Sequence, residues 1–167
     1  ASVHEVSRSG ATPLLVACKE GHAACARVLL GAGATTNDVA TTMNCNATPL
    51  SMACHAGHAE CVQLLCDAKA NVDLPIAIQG TLPNAPQLGR IRIDGITPLY
   101  IACQNNRVNC ARILCAAGAV VDRANSNRIT PLLIACRAGH AGCVEALCQA
   151  GASVGKLGAD GLEPLEI

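Results

Sequence analysis

The sequence predicts an all-α solenoid of stacked helix-turn-helix units linked by turn or hairpin fingers. Three observations carry that prediction. The tripeptide Thr-Pro-Leu recurs at Thr12, Thr48, Thr97 and Thr130, with Glu163-Pro164-Leu165 as a degenerate fifth copy, at separations of 36, 49, 33 and 33 residues. Nine residues after each Thr stands a residue suited to ending a helix: Gly21, Gly57, Asn106 and Gly139. The chain of 167 residues is 51% hydrophobic yet has no Phe, no Trp and one Tyr, Tyr100. A core made of Ala, Leu, Val, Ile and Cys favours slender, closely packed elements over a broad globular interior.

Each element follows from local chemistry. Thr accepts a hydrogen bond from the first turn as an N-cap, and Pro at the first helical position brings a helical φ and no orphaned donor. A helix therefore starts at every Thr-Pro and stops where Gly, or less cheaply Asn106, takes a left-handed conformation. A second helix has apolar residues 13, 14, 17 and 18 past the Thr, as in Cys61, Val62, Leu65 and Cys66, which is a one-sided helical stripe. It ends at Gly33, Gly118 and Gly151, and in the second unit at Lys69, a left-handed position taken by a residue with a Cβ. The first connection carries 3 extra residues around Ala40 to Asn44, and the second carries 16, over Leu74 to Arg92. Its ends alternate as Ile76-Ala77-Ile78 and Ile91-Arg92-Ile93 around Gly80, Pro83, Pro86 and Gly89, the pattern of a lengthened hairpin finger.

A 33-residue period opened by Thr-Pro-Leu resembles the ankyrin repeat, over nearly the whole chain. The resemblance divides the chain into a partial N-terminal unit 1–11, repeats 12–47, 48–96 (with the inserted finger 74–92), 97–129 and 130–162, and a truncated fifth start 163–167. It implies a module that binds a protein or peptide on its concave face and fingers. The contact positions it implies include Arg8, Lys19 and Glu20 in the first unit, and Asn44 and His55 in the second. The inserted finger adds Arg90 and Arg92; the third unit adds Asp94, Gln104 and Asn105; the fourth adds Ser126, Asn127 and Arg137. Where the family usually has His three residues after the Thr stand Leu15, Ser51, Tyr100 and Leu133, so the usual bond between adjacent turns is lost or made differently. Ala-Cys helix endings and paired leucines are also similar to the ankyrin portions of cullin-type ubiquitin-ligase substrate receptors, which implies substrate recognition as one alternative.

Eleven of the twelve cysteines fall at three repeat offsets: Cys18, Cys54, Cys103 and Cys136; Cys25, Cys61, Cys110 and Cys143; Cys66, Cys115 and Cys148. Recurrence in register marks packing positions, since a free thiol behaves as a small hydrophobe. No Cys-x-x-Cys pair suggests a metal, and no cofactor is expected. Cys45 alone is out of register, which makes it the candidate exposed and reactive thiol. The reading from a different class, a thiol-based redox sensor or cysteine enzyme, is disfavoured by that register. His22, His58 and His140 share the position after the turn residue, where the family uses the imidazole to tie a turn to its neighbour.

Twelve basic and twelve acidic residues balance overall, which leaves no basic face for nucleic acid, and single-strand binding lacks its stacking aromatics. The longest apolar run, Ile113 to Val121, has nine residues, too few to span a bilayer. A cytoplasmic or nuclear location and a non-catalytic role are expected. Charge is uneven all the same. From Gly89 to Arg137 seven arginines face two aspartates, and from Ala138 onward four acidic residues face one lysine. The basic stretch suggests an acidic partner, with self-association through uncapped terminal repeats as a further expectation.

Overall fold

The computed structural model describes residue 3 and residues 5–8, 10–42, 45–81 and 90–155, with backbone alone at 41, 42, 45, 79–81 and 90–92. The predicted Thr caps set the start of each inner helix. Thr12, Thr48, Thr97 and Thr130 are buried, and their hydroxyl oxygens accept from the amides of Leu15, Ser51, Tyr100 and Leu133 at 3.0–3.2 Å. The helices that follow are α1 (Pro13–Glu20), α3 (Pro49–Ala56), α5 (Pro98–Gln104) and α7 (Pro131–Arg137), each with Pro in its first turn. Each is followed by an antiparallel partner: α2 (Ala23–Gly31), α4 (Ala59–Asp67), α6 (Val108–Ala116) and α8 (Ala141–Gln149).

The turn between partners is closed by the left-handed residue foreseen from the sequence. Gly21, Gly57, Asn106 and Gly139 have φ of 78, 92, 55 and 70°. The next amide, that of His22, His58, Arg107 or His140, then donates back to a carbonyl of the last turn at 2.8–3.0 Å. The outer helices end likewise at Gly33, Lys69, Gly118 and Gly151, with Lys69 held at φ 61°. That conformation drives a Cβ toward the backbone carbonyl. Replacing Lys69 with Gly is expected to raise unfolding stability by about 1 kcal/mol, read as a higher urea midpoint; an unchanged or lower midpoint would show the strain to be relieved elsewhere.

Inner helices stack on inner helices (α1, α3, α5, α7) and outer on outer (α2, α4, α6, α8), giving a two-row solenoid. One continuous core runs between the rows, with Leu14, Leu50, Leu99, Leu132, Leu65, Leu114 and Leu147 inaccessible to solvent. The cysteines join it as paired thiols between successive repeats. Cys18 meets Cys61, Cys54 lies beside Cys110, and Cys103 bonds Cys143, so the first offset of one repeat faces the second offset of the next. Two in-register cysteines depart from the expected packing role. Cys25 and Cys148 are exposed, because burial at those offsets needs a neighbouring repeat that the described residues do not place there.

The fingers form one antiparallel sheet of four strands in the order β1 (Ala40–Thr42), β2 (Cys45–Ala47), β3 (Ile76–Thr81), β4 (Arg90–Ile96). The long insertion is thus a hairpin, as its alternation predicted, and it pairs with the preceding finger where Cys45 meets Ile78. At the family's usual His positions the finger is fastened by other means. Leu15 packs in a small apolar cluster with Ala40 and Ala47 under the first finger. Ser51 closes a capping box instead, its Oγ accepting from the Thr48 amide and donating to the Thr48 carbonyl, both at 2.9 Å.

Candidate partner-binding surface

The C-terminal ends of the inner helices are held by one recurring contact from the next repeat. His58 Nε2 lies 3.1 Å from the Lys19 carbonyl oxygen, which can only accept, so the ring donates from that nitrogen. His140 makes the same bond to the Gln104 carbonyl at 3.3 Å. Arg107 occupies the equivalent place in the third repeat, and its Nε donates to the His55 carbonyl at 3.1 Å. The His58 and Arg107 side chains also lie against the turn of the preceding unit. A Cβ on Gly21 would come within 2.5 Å of the His58 ring, and one on Gly57 within 2.7 Å of the Arg107 side chain. The backbones of Lys19, His55 and Gln104 are therefore locked while their side chains stay exposed, which is the arrangement a recognition surface needs. Arg107 as a substitute for histidine was missed by sequence reasoning, although its position ten residues past Thr97 marks it.

The remaining predicted contact residues divide. Lys19 and Glu20 pair with each other at 3.3 Å, both about half exposed. Arg8 is exposed in the turn before α1. Asn105 is partly spent, since its Nδ2 donates to the Ile101 carbonyl at 2.8 Å and caps α5. Asp94, Ser126 and Asn127 come together where β4 meets the turn of the fourth unit: Ser126 N donates to the Asp94 carbonyl at 2.9 Å, and Asp94 N to Ser126 Oγ at 3.2 Å. That turn is organised by buried Asn125, whose Oδ1 accepts from the amides of Asn127 and Ile129. Gly95, at φ 79°, permits the approach, because a Cβ there would lie 3.3 Å from the Asn125 Cα. Arg137 is exposed at the end of α7, near Tyr100. Burial pushes the Tyr100 phenol up, and the Arg137 charge partly opposes that. Asn44 lies outside the described residues, as does the fifth repeat start, while Arg90, Arg92 and Cys45 are placed by backbone only.

A second row of contacts missed by sequence reasoning holds the finger bases. Asn37 Oδ1 accepts from Asn71 N at 2.9 Å, Asp73 from Val120 N at 3.0 Å, and Asp122 from Ser153 N at 3.0 Å. The three acceptors all stand 25 residues past their Thr, a recurrence present in the sequence but masked by the two insertions. The basic excess is also divided among different tasks. Arg112 reaches Glu145 at 3.8 Å in the outer row, and Arg123 donates to the Asp73 carbonyl at 3.2 Å. With Arg107 locking a turn, these three arginines serve the array itself.

Most of the described thiols are raised by burial, and Cys143, which the hydrogen bond with Cys103 lowers, is buried in the core. Burial pushes Cys18 up to about 12 and Cys110 up to about 11, and it raises Cys54, Cys66, Cys115 and Cys136. Low thiolate content makes a poor nucleophile. A cleft of about 420 Å³ between α4 and α6 is a groove between successive repeats, lined by Gln63, Asp67 and Lys69 beside Cys66, Val72 and Ile113. Among the described residues no three His, Cys, Asp or Glu side chains gather as a metal site.

A family model described as ankyrin repeats (3 copies) matches residues 1–76 and again residues 75–157. The chain belongs to the ankyrin-repeat family. A comparison with curated proteins returned no match. Ankyrin repeats are protein–protein interaction modules and are generally non-catalytic, in keeping with a stack whose polar contacts go into holding turns together. Among the described residues no helix is long and apolar enough to cross a membrane.

Proposed function

We propose that this ankyrin array captures an acidic peptide or loop of a partner protein, held by the third and fourth repeats and the inserted finger. The observation that carries this reading is the placement of arginines on the finger strand, the adjoining turn and the end of α7. Arg107, Arg112 and Arg123 contact neighbouring repeats. Arg90 and Arg92 stand in the finger strand β4, Arg128 in the adjoining turn, and Arg137 at the concave end of α7. Arginine at a recognition surface receives carboxylates through paired, charge-assisted hydrogen bonds. Arg128 keeps φ at 62° in an exposed turn, so a cationic side chain occupies a place where glycine fits with less strain.

Selection of a random twelve-residue peptide display library on the intact chain tests the reading. Enrichment of Asp- and Glu-rich sequences is expected, and their binding should fall at least tenfold in the Arg90→Glu, Arg92→Glu, Arg137→Glu triple variant at roughly physiological salt. Selected sequences without acidic bias, or unchanged affinity of the triple variant at low salt, would overturn it.

A further inference from the structure

The finger sheet ends on β4, and the geometry of that edge says how an acidic segment is held. β4 is the outermost strand of the sheet, paired on one side with β3 through Ile93 opposite Ile78, Arg92 opposite Gln79, Ile91 opposite Gly80 and Arg90 opposite Thr81. The register slips by one between Ile93 and Ile96, so Asp94 and Gly95 form a bulge with Gly95 left-handed.

Within that bulge, Asp94 turns both its N–H and its C=O away from β3. Both are engaged by Ser126, which takes the Asp94 carbonyl with its amide and supplies its hydroxyl oxygen to the Asp94 amide. Ser126 therefore imitates one residue of an added strand. Peptide groups alternate along a strand, so Ile93 and Ile91 turn theirs to β3 while Arg92 and Arg90 turn theirs outward with Asp94. Among the described residues no strand lies beyond that edge.

We propose that β4 is a template for strand addition: an extended, acidic peptide pairs with the outward backbone groups of Arg92 and Arg90, continuing the row that Ser126 begins. The inference rests on the reading of an acidic partner and specifies its conformation and its seat. An exposed strand edge offers main-chain hydrogen bonds in register, and natural proteins commonly protect such edges with charge. Here the charges are of one sign: Arg90 and Arg92 lie on the edge strand, and exposed Arg128 lies two residues past Ser126. An alternating acidic and β-branched segment fits that chemistry, its carboxylates meeting guanidinium groups while its backbone extends the sheet. Asp94, the one acidic residue of β4, sits where Ser126 already closes the row, so the added strand ends there.

The test uses the intact chain and a fluorescein-labelled peptide, Glu-Val-Glu-Thr-Glu-Val-Glu-Thr. Two further versions carry N-methyl groups on the glutamates or on the Val and Thr residues. One N-methylated version is expected to lose at least tenfold in affinity and the other to keep it, because only one set of amides faces β4. Arg92→Pro removes an outward N–H without touching the ladder to β3, and it is expected to weaken binding more than Arg92→Gln, which removes the charge alone. Slowed amide hydrogen exchange at Arg90 and Arg92 in the complex supports the same seat. Equal binding of both N-methylated versions, with Arg92→Pro no worse than Arg92→Gln, overturns strand addition while leaving acidic recognition intact. Failure of the parent peptide to bind overturns both.

Discussion

Between pH 9 and pH 11 the array is expected to unfold far more readily than at neutral pH, because its core is built from thiols. Cys18, Cys54, Cys103 and Cys110 are essentially inaccessible to solvent. Burial lifts Cys18 to about 12, Cys110 to about 11 and Cys54 well above its ordinary 9.0. Cys103 is raised and its partner Cys143 lowered through the hydrogen bond they share, so those two shifts oppose each other. The direction of the effect follows from proton uptake. Below pH 9 both states hold these protons and the stability is complete. As pH rises past 9 the unfolded chain releases them while the folded core retains them, so unfolding gains free energy until the folded thiols also ionise. Each such thiol costs about 1 kcal/mol between pH 9 and 10, the unfolded thiol being half ionised at the start of that interval, and Cys18, Cys54 and Cys110 together cost about 3 kcal/mol, a large part of the stability of many domains. Urea titrations under reducing conditions at pH 7, 9 and 10 measure it. Cys54→Ala should flatten the dependence by about 1 kcal/mol between pH 9 and 10, although it lowers stability at pH 7 through the lost packing of the sulfur. Equal midpoints at pH 7 and pH 10 in the parent chain would show that the thiols ionise as freely in the fold as out of it.

The same residues show how far the sequence could be read. Thr-Pro starts and left-handed stops are set within a few residues, and those local rules place every described helix. The inserted hairpin was legible for a similar reason, since alternation around a Gly- and Pro-rich centre is local. Its pairing to the finger before it was not, because the meeting of Cys45 with Ile78 depends on how far successive repeats rotate. Thiol register announced packing but not which thiols would be covered. Cys61 is buried because Cys18 of the repeat before it lies against it, whereas Cys25, at the same offset, has no such neighbour among the described residues.

The candidate surface was legible as positions and opaque as contacts. Lys19, His55 and Gln104 lie where the repeat pattern put them, yet nothing in the pattern shows that their carbonyls anchor the next turn, or that Arg107 replaces histidine in doing so. Counting charges placed seven arginines in one basic stretch of the chain. Side-chain reach separates them, since Arg112 and Arg123 are drawn to Glu145 and to the Asp73 carbonyl in neighbouring units. A long side chain chooses among partners several ångströms apart, and composition carries no record of that choice.

Substituting Leu99 by Ala should do more than lower stability; it should divide the array. Leu99 is fully buried on α5, an inner helix packed against α3 on one side and α7 on the other. Removing three carbons from such a site costs about 3–5 kcal/mol through lost transfer free energy and an unfilled cavity. In a solenoid each repeat touches only its neighbours, so folding is cooperative only while every interface outweighs the cost of ordering a unit. Weakening the third repeat reduces its own stability and both of its interfaces, leaving the first two repeats to fold without the fourth. Leu14, equally buried, occupies the same place in the first repeat, where α1 packs against α3 alone among the inner helices. Leu14→Ala should therefore shift the urea transition and keep it single, whereas Leu99→Ala should split it, with amides of α7 and α8 exchanging at lower urea than those of α1 and α3. Two single transitions shifted by the same amount would mean that the repeats are coupled too strongly for a one-dimensional stack, and that the four-stranded finger sheet, which ties the second finger to the first, extends cooperativity along the chain.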